Sequence, residues 1–268
     1  MIKKLSMTLL ALTSSVGFAG TMGVVVDTFN PSLYLKVGSG GSWSMNSDIQ
    51  PDNKVWDRAF QGYNANLGST ALYSAAIGYN LNPLWSFDFD YIYRPSYQYY
   101  KYQDFFPNTA NTSNYSSVSR TRVFNLASNS LMANAYLHGK GLSDSLAWNV
   151  GSCYTLEPFI GAGLGVAFNT LYNFHSESVD GEAKAIMNDN FRTSFAWQLS
   201  AGLNLFNDSH FNLAAGYRYY NGGTFTSNNY TWYSPVNGVG AYDVVASPWK
   251  GSLQANEFFV TLAYKIDA

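Results

Sequence analysis

Trp85-Ser86-Phe87-Asp88-Phe89-Asp90-Tyr91-Ile92-Tyr93-Arg94 is the stretch that decides how this chain is built. Side chains on a strand point alternately to opposite faces. One face here carries Trp85, Phe87, Phe89, Tyr91 and Tyr93, and the other Ser86, Asp88, Asp90, Ile92 and Arg94. Trp and Tyr stand at the ends of the ring-bearing stripe with Phe between them. That order suits a strand crossing a bilayer, with its amphipathic rings at the two interfaces.

The same period-two pattern recurs in seven other segments. Strands are expected over Ser32–Trp43, Thr70–Leu81, Leu84–Arg94 (with an extension through Tyr97–Tyr100), within Arg122–Leu137, and over Leu156–Phe168, Thr193–Leu205, His210–Tyr220 and Ala255–Ile266. The lipid-facing set is then Trp85, Phe87, Phe89, Tyr91, Trp197, Tyr217, Phe258 and Tyr264. The opposite faces are mostly Gly, Ala, Ser and Asn, whereas a sheet facing water would carry many Lys and Glu. Eight strands also enclose a lumen only wide enough for side chains, and this many rings would overfill it. The stripes therefore point outward.

Composition agrees. Of 268 residues 47% are apolar and 17% aromatic, but only 12% are charged. That is about half the charge of a water-soluble domain. No apolar run beyond the N-terminus reaches the roughly 18 residues of a transmembrane helix. The fold class expected is all-β: a transmembrane antiparallel up-and-down β-barrel of eight strands. A net charge of −2 leaves no basic footprint for nucleic acid. Cys153 is the only cysteine, so no internal disulfide forms, and neither a metal nor a cofactor is expected.

Lys3 and Lys4, the short apolar run Leu5–Leu12 and Gly17-Phe18-Ala19 make a secretory signal peptide. Residues 1–19 are read as the leader and 20–268 as the barrel domain.

Connections differ at the two ends. Asn80-Leu81-Asn82-Pro83 and Phe206-Asn207-Asp208-Ser209 are compact turns, whereas 44–69, 102–121, 170–192 and 221–253 are expected as long loops. Short turns in the periplasm and long loops outside the cell is the outer-membrane arrangement. The connection 139–154 departs from it: a turn is expected there, yet it holds about sixteen residues.

Inward positions carry Lys36, Arg94, Arg218 and Lys265 against Asp88, Asp90, Glu157 and Glu257, four of each sign. Charges in a narrow lumen persist only when paired, so these eight are expected as a salt-bridge network that plugs the barrel, with Arg218 on Asp88 or Asp90. The competing expectation is a gated ion path in which the pairs exchange. Gly161, Gly163 and Gly165 share the inward face and leave room for bulky neighbours; no helix start or Lys follows them to make a phosphate loop. His138 and His210 are expected at the periplasmic interface. His175, in Phe174-His175-Ser176-Glu177-Ser178, is the one histidine near the outer rim, but Ser176 beside it points to the opposite face. No catalytic residue is assigned.

Pro158-Phe159-Ile160-Gly161-Ala162-Gly163-Leu164-Gly165 resembles the fifth-strand motif of the opacity-protein and OmpA-like eight-stranded outer-membrane barrel superfamily. Gly216-Tyr217-Arg218-Tyr219 is similar to its penultimate strand and Phe259–Ile266 to its closing strand. Ala19-Gly20-Thr21-Met22-Gly23 looks like the mature start of outer-membrane proteins from some intracellular pathogens. The likeness spans the mature chain at the level of pattern, and it implies the barrel and says little of activity. Two features depart from it. Ile266-Asp267-Ala268 follows the last aromatic, Tyr264, where the assembly machinery commonly reads a terminal ring, and no peptidoglycan-binding domain is expected after the last strand.

The expectation is a non-enzymatic, monomeric barrel exported to the Gram-negative outer membrane. Its partners are outer-membrane lipid, the barrel-assembly machinery and a host or surface ligand met by the Asn-, Ser- and Tyr-rich loops. A small-solute or ion channel is the main alternative, and a lipid-modifying hydrolase the third.

Overall fold

The structure, a computed structural model, describes residues 31–51, 66–103, 120–150, 154–178, 184–207, 210–234, 241–245 and 248–266. Among them eight long strands follow one another around a ring. They are β1 (Ser32–Ser44), β2 (Ser69–Asn80), β3 (Trp85–Gln103), β4 (Arg120–His138), β5 (Tyr154–Ser178), β6 (Asn190–Asn207), β7 (Phe211–Thr226) and β8 (Trp249–Ile266). Each pairs antiparallel with the next. Closure comes from β8 on β1, with Leu33 opposite Ile266 and Ser44 opposite Ala255. The ring is a closed eight-stranded up-and-down barrel, which leaves no free sheet edge there.

The sequence chemistry sets the tight end. Asn82 Oδ1 accepts from the backbone N–H of Leu84 at 2.9 Å and of Trp85 at 2.8 Å, a side chain standing in for the backbone of a turn. The connection 139–154 is not a loose turn. Gly139–Leu142 forms one helical turn, Asp144–Leu146 a tighter one, and Trp148–Val150 pairs with Tyr154–Leu156. A side chain at Gly141 would meet the Leu84 backbone at 2.4 Å, so this piece lies directly over the start of β3.

At the other end the expected loops are largely sheet, which corrects the sequence expectation for 170–192 and 221–253. Strand β5 runs to Ser178, β6 starts at Asn190, and Lys184–Ile186 pairs with β5 through Glu177 and His175. Strand β7 runs to Thr226, β8 starts at Trp249, and Tyr230–Ser234 pairs with Ala241–Val245. The physical reason is a set of bulges, each adding a residue to one strand and changing which face the following residues take. The ladder shifts between Arg94 and Tyr97 in β3. In β5 it shifts around Asn173, whose φ is 53°. In β7 it shifts between Asn221 and Thr224, where Gly223 takes a φ of 69°. A simple alternation loses its phase at each bulge and looks like a strand end.

Outside the ring, large apolar side chains are exposed: Phe89 is 71% exposed, Phe258 61% and Leu164 62%. Trp85, Phe87, Tyr91, Tyr217 and Tyr264 are exposed too. Trp197 is only half-buried, because its ring packs on Tyr219 at 5.2 Å. The leader, Cys153, Asp267 and Ala268 lie outside the described residues, as do 52–65 and 104–119.

Candidate functional site in the lumen

Inward-facing residues form four layers stacked along the barrel axis. The layer nearest the tight turns centres on His138, the last residue of β4. Its Nε2 lies 2.7 Å from Ser86 Oγ, and its Nδ1 lies 3.1 Å from Glu157 Oε1 and 3.2 Å from Asn204 Nδ2. The Lys140 backbone N–H donates to Glu157 Oε2 at 3.4 Å. His138 thus turns inward and not to the interface, contrary to the sequence expectation. Even-numbered β4 residues Met132, Asn134 and Tyr136 all turn in, and carrying that parity two residues further would have placed it.

Above it, Lys36 is hydrogen-bonded to Asp88 and lies 3.9 Å from Asp90 Oδ2. Lys36 Nζ also donates to Tyr136 OH at 3.3 Å, and Asn134 Nδ2 donates to Asp88 Oδ1 at 2.7 Å. Gln198 Nε2 extends the chain to Asn134 Oδ1 at 2.7 Å, reaching β6. Gly163 makes this possible: a Cβ there would sit 1.9 Å from Asn134 Oδ1.

The third layer is built on Glu257, which is fully buried. Arg94 Nε donates to its Oε1 at 2.6 Å and Nη2 to its Oε2 at 3.2 Å, a two-pronged pair. Arg218, directly across the ladder, donates Nε to Oε2 at 2.7 Å. Ser42 Oγ donates to Oε1 at 2.7 Å and contacts Tyr97 OH at 2.5 Å. The Arg94 guanidinium lies 3.6 Å from the centre of the Tyr220 ring.

The fourth layer has no counterpart in the sequence expectation. Tyr97, Tyr99, Phe124, Leu126, Leu171, Phe174, Phe225, Trp249 and Leu253 fill the outer half of the lumen as one apolar cluster. Phe124 stacks on Tyr99 at 4.6 Å and on Phe174 at 6.3 Å. The bulges explain why it was missed. Odd residues of β3 face out through Tyr93, but past the shift at Pro95-Ser96 the odd residues Tyr97 and Tyr99 face in.

The eight expected lumen charges are therefore not one network. Lys36, Asp88 and Asp90 form a triad of net −1, and Arg94, Arg218 and Glu257 a triad of net +1. Arg218 is held by Glu257 and not by Asp88 or Asp90. Glu157 belongs to the His138 layer. Lys265 is exposed: it keeps inward parity but sits one residue from the end of β8, where the lumen opens to solvent. His175 is exposed, its Nδ1 3.2 Å from Asn173 O, because the bulge at Asn173 turns it away from the lumen. No cluster of metal-ligating side chains occurs among the described residues.

No protein-family model and no curated protein matches this chain. Among solved structures it is similar to Neisserial surface protein A, with 18% identity, 89% of this chain and 100% of that chain covered, and a TM-score of 0.38. Outer membrane protein OprG from Pseudomonas aeruginosa shows 11% identity, 88% and 97% coverage, and a TM-score of 0.48. Ail, the attachment invasion locus protein of Yersinia pestis, in complex with the heparin analogue sucrose octasulfate, shows 12%, 88%, 99% and 0.32 respectively. The barrel assignment rests on the strand pairing above and not on these likenesses.

Proposed function

We propose that this chain is a closed, non-conducting barrel of the Gram-negative outer membrane that contributes to envelope structure and carries outward-projecting segments for surface contact. The observation that carries the proposal is the packing of the lumen. Two ion-paired triads are capped by an apolar cluster whose members are at most 4% exposed. An ion would have to shed its water to pass such a layer, at a cost of many kcal/mol. The exposed apolar belt supports the membrane setting, since a water-soluble surface rarely carries so much contiguous apolar area.

Strand length supports the contact role. A membrane β-strand needs about 9–11 residues, and β5 has 25. The excess lifts its outer end well clear of the bilayer, where a rigid scaffold can present recognition segments. Planar-bilayer recording of the refolded protein tests closure, and the expected trace shows no stable single-channel steps. Large, persistent steps would favour the channel. One observation speaks for that second reading: Asp90 Oδ1 and Arg218 Nη2 are buried without a hydrogen-bond partner among the described residues, so the triads hold spare capacity to exchange pairs.

The contact role has its own test. Replacing 108–119 by a short Gly/Ser turn should leave the barrel folded, because loop closure depends only weakly on length. It should lower binding to whole cells or surface polymers. Cutting 221–233 should instead cost stability, since this segment contains Phe225, which is fully buried in the cluster. Unchanged binding after the first trimming would remove that segment from the role.

A further inference from the structure

Ser86, His138 and Glu157 stand in the order of a nucleophile, a base and an orienting carboxylate, and we infer that they form a hydrolytic site for slender carboxylic esters entering from the turn end. The distances are 2.7 Å from Ser86 Oγ to His138 Nε2 and 3.1 Å from His138 Nδ1 to Glu157 Oε1. Both fit the reach of a relay in which a base, itself held by a third group, takes the nucleophile's proton. The expectation of no catalytic residue considered only His175 at the opposite end; nothing in the local sequence joins residues 86, 138 and 157. The fold does so by ending β4 beside the starts of β3 and β5.

The tautomer follows from the partners. A carboxylate at Nδ1 keeps the proton on that nitrogen, which leaves Nε2 free to accept from the Ser86 hydroxyl. The Asn204 amide lies beside that pair, its Nδ2 3.2 Å from the same Nδ1. The long connection acquires a role as well. Its Lys140 N–H holds the second Glu157 oxygen, and its helical turn covers the start of β3 two residues before Ser86. Asn80 is directly across the ladder from Ser86; its Nδ2 donates one proton to Ser32 Oγ at 3.2 Å, and its second amide proton is the candidate donor for a developing oxyanion.

The reaction balances with water alone. Ser86 Oγ bonds to the ester carbonyl carbon as Nε2 takes its proton. The carbon–oxygen bond to the alcohol then breaks, and the alcohol leaves with the proton from Nε2. Water attacks the acyl-serine through the same relay, releasing the acid and restoring the Ser86 hydroxyl. Access sets the substrate class. Ser86 and Glu157 are each 3% exposed, while the His138 side chain is 15% exposed toward the mouth. A ring of eight strands admits nothing much wider than a side chain, so the ester must present a single unbranched chain.

The test treats the full refolded barrel in detergent micelles with a fluorophosphonate bearing a short alkyl chain, with folding checked by heat-modifiable gel mobility. One adduct per chain is expected, mapped by mass spectrometry to Ser86, and absent from urea-unfolded protein and from Ser86→Ala. His138→Gln should slow its formation on the order of a thousandfold. Glu157→Gln should slow it too, and Glu157→Asp should restore part of the rate, as expected of a positioning residue. A folded wild-type barrel with no Ser86 adduct overturns the inference, as does an adduct whose rate is indifferent to His138→Gln. If His138→Gln does not fold, the wild-type comparison decides: equal labelling of folded and unfolded chains overturns it.

Discussion

Replacing Glu257 by Leu should cost the barrel about 3–5 kcal/mol, the range for removing one partner of a buried ion pair. The magnitude follows from what is left behind. Glu257 takes up two guanidinium groups, with Arg94 fully buried and Arg218 5% exposed. Without the carboxylate both cations face each other with neither of their short ion pairs left. Urea unfolding in lipid vesicles, followed by tryptophan fluorescence, measures the loss. Replacing all three together, Glu257→Leu with Arg94→Met and Arg218→Leu, should recover most of it, because apolar residues of similar size avoid the desolvation the ions incur. If Glu257→Leu alone costs less than about 1 kcal/mol, the third layer is solvated and the plug account fails.

Arginine placed on the outer stripes should cost about 2–4 kcal/mol at each mid-bilayer position. Phe89, Leu199 and Val260 are the sites of choice, being 71%, 53% and 50% exposed on the outward face. Tyr100 is the informative control. It is 61% exposed and also faces outward, but it lies beyond the β3 bulge and above the apolar belt. Tyr100→Arg should therefore change stability by under about 1 kcal/mol, as surface substitutions usually do. Four equal costs would mean that the belt does not end where the bulge does.

The contrast between these sites shows what the sequence disclosed. Within the belt, Trp85–Tyr93 and Ser86–Arg94 alternate as exposed and buried residues in step with the sequence pattern, because a wall facing hydrocarbon requires strict period two and each slip would bury a charge in it. Beyond it the constraint relaxes. The Pro95-Ser96, Asn173 and Gly222-Gly223 bulges each reset the phase, so Tyr97 and Tyr99 read only as a strand extension, and Phe174 and Phe225 as loop aromatics, although all four pack as a core. Two of these bulges place a residue at positive φ, Asn173 and Gly223, and in sequence each looks like an ordinary loop residue. The charges were legible as inward but not in their pairing. Arg218 meets Glu257 because the β7–β8 register sets them opposite each other, and one strand's alternation cannot reveal a neighbour's register. His138 was obscured differently: strand parity places it inward, but its partners stay hidden until the fold sets Ser86 and Glu157 from the flanking strands on either side of it.

A nitroxide scan through residues 85–100 in lipid, one position at a time with Cys153 replaced by serine, tests the central claim that stripe and lumen exchange residues at the bulge. Collision with dissolved oxygen reports exposure to lipid within the belt, and collision with a water-soluble nickel complex reports exposure to water above it. Odd positions from 85 to 93 should be accessible and even positions from 86 to 94 should not; past the shift at Pro95-Ser96 the order should invert, with 97 and 99 shielded and 98 and 100 exposed. Alternation that runs through to residue 100 without inversion would contradict both the bulge and the apolar seal built on it.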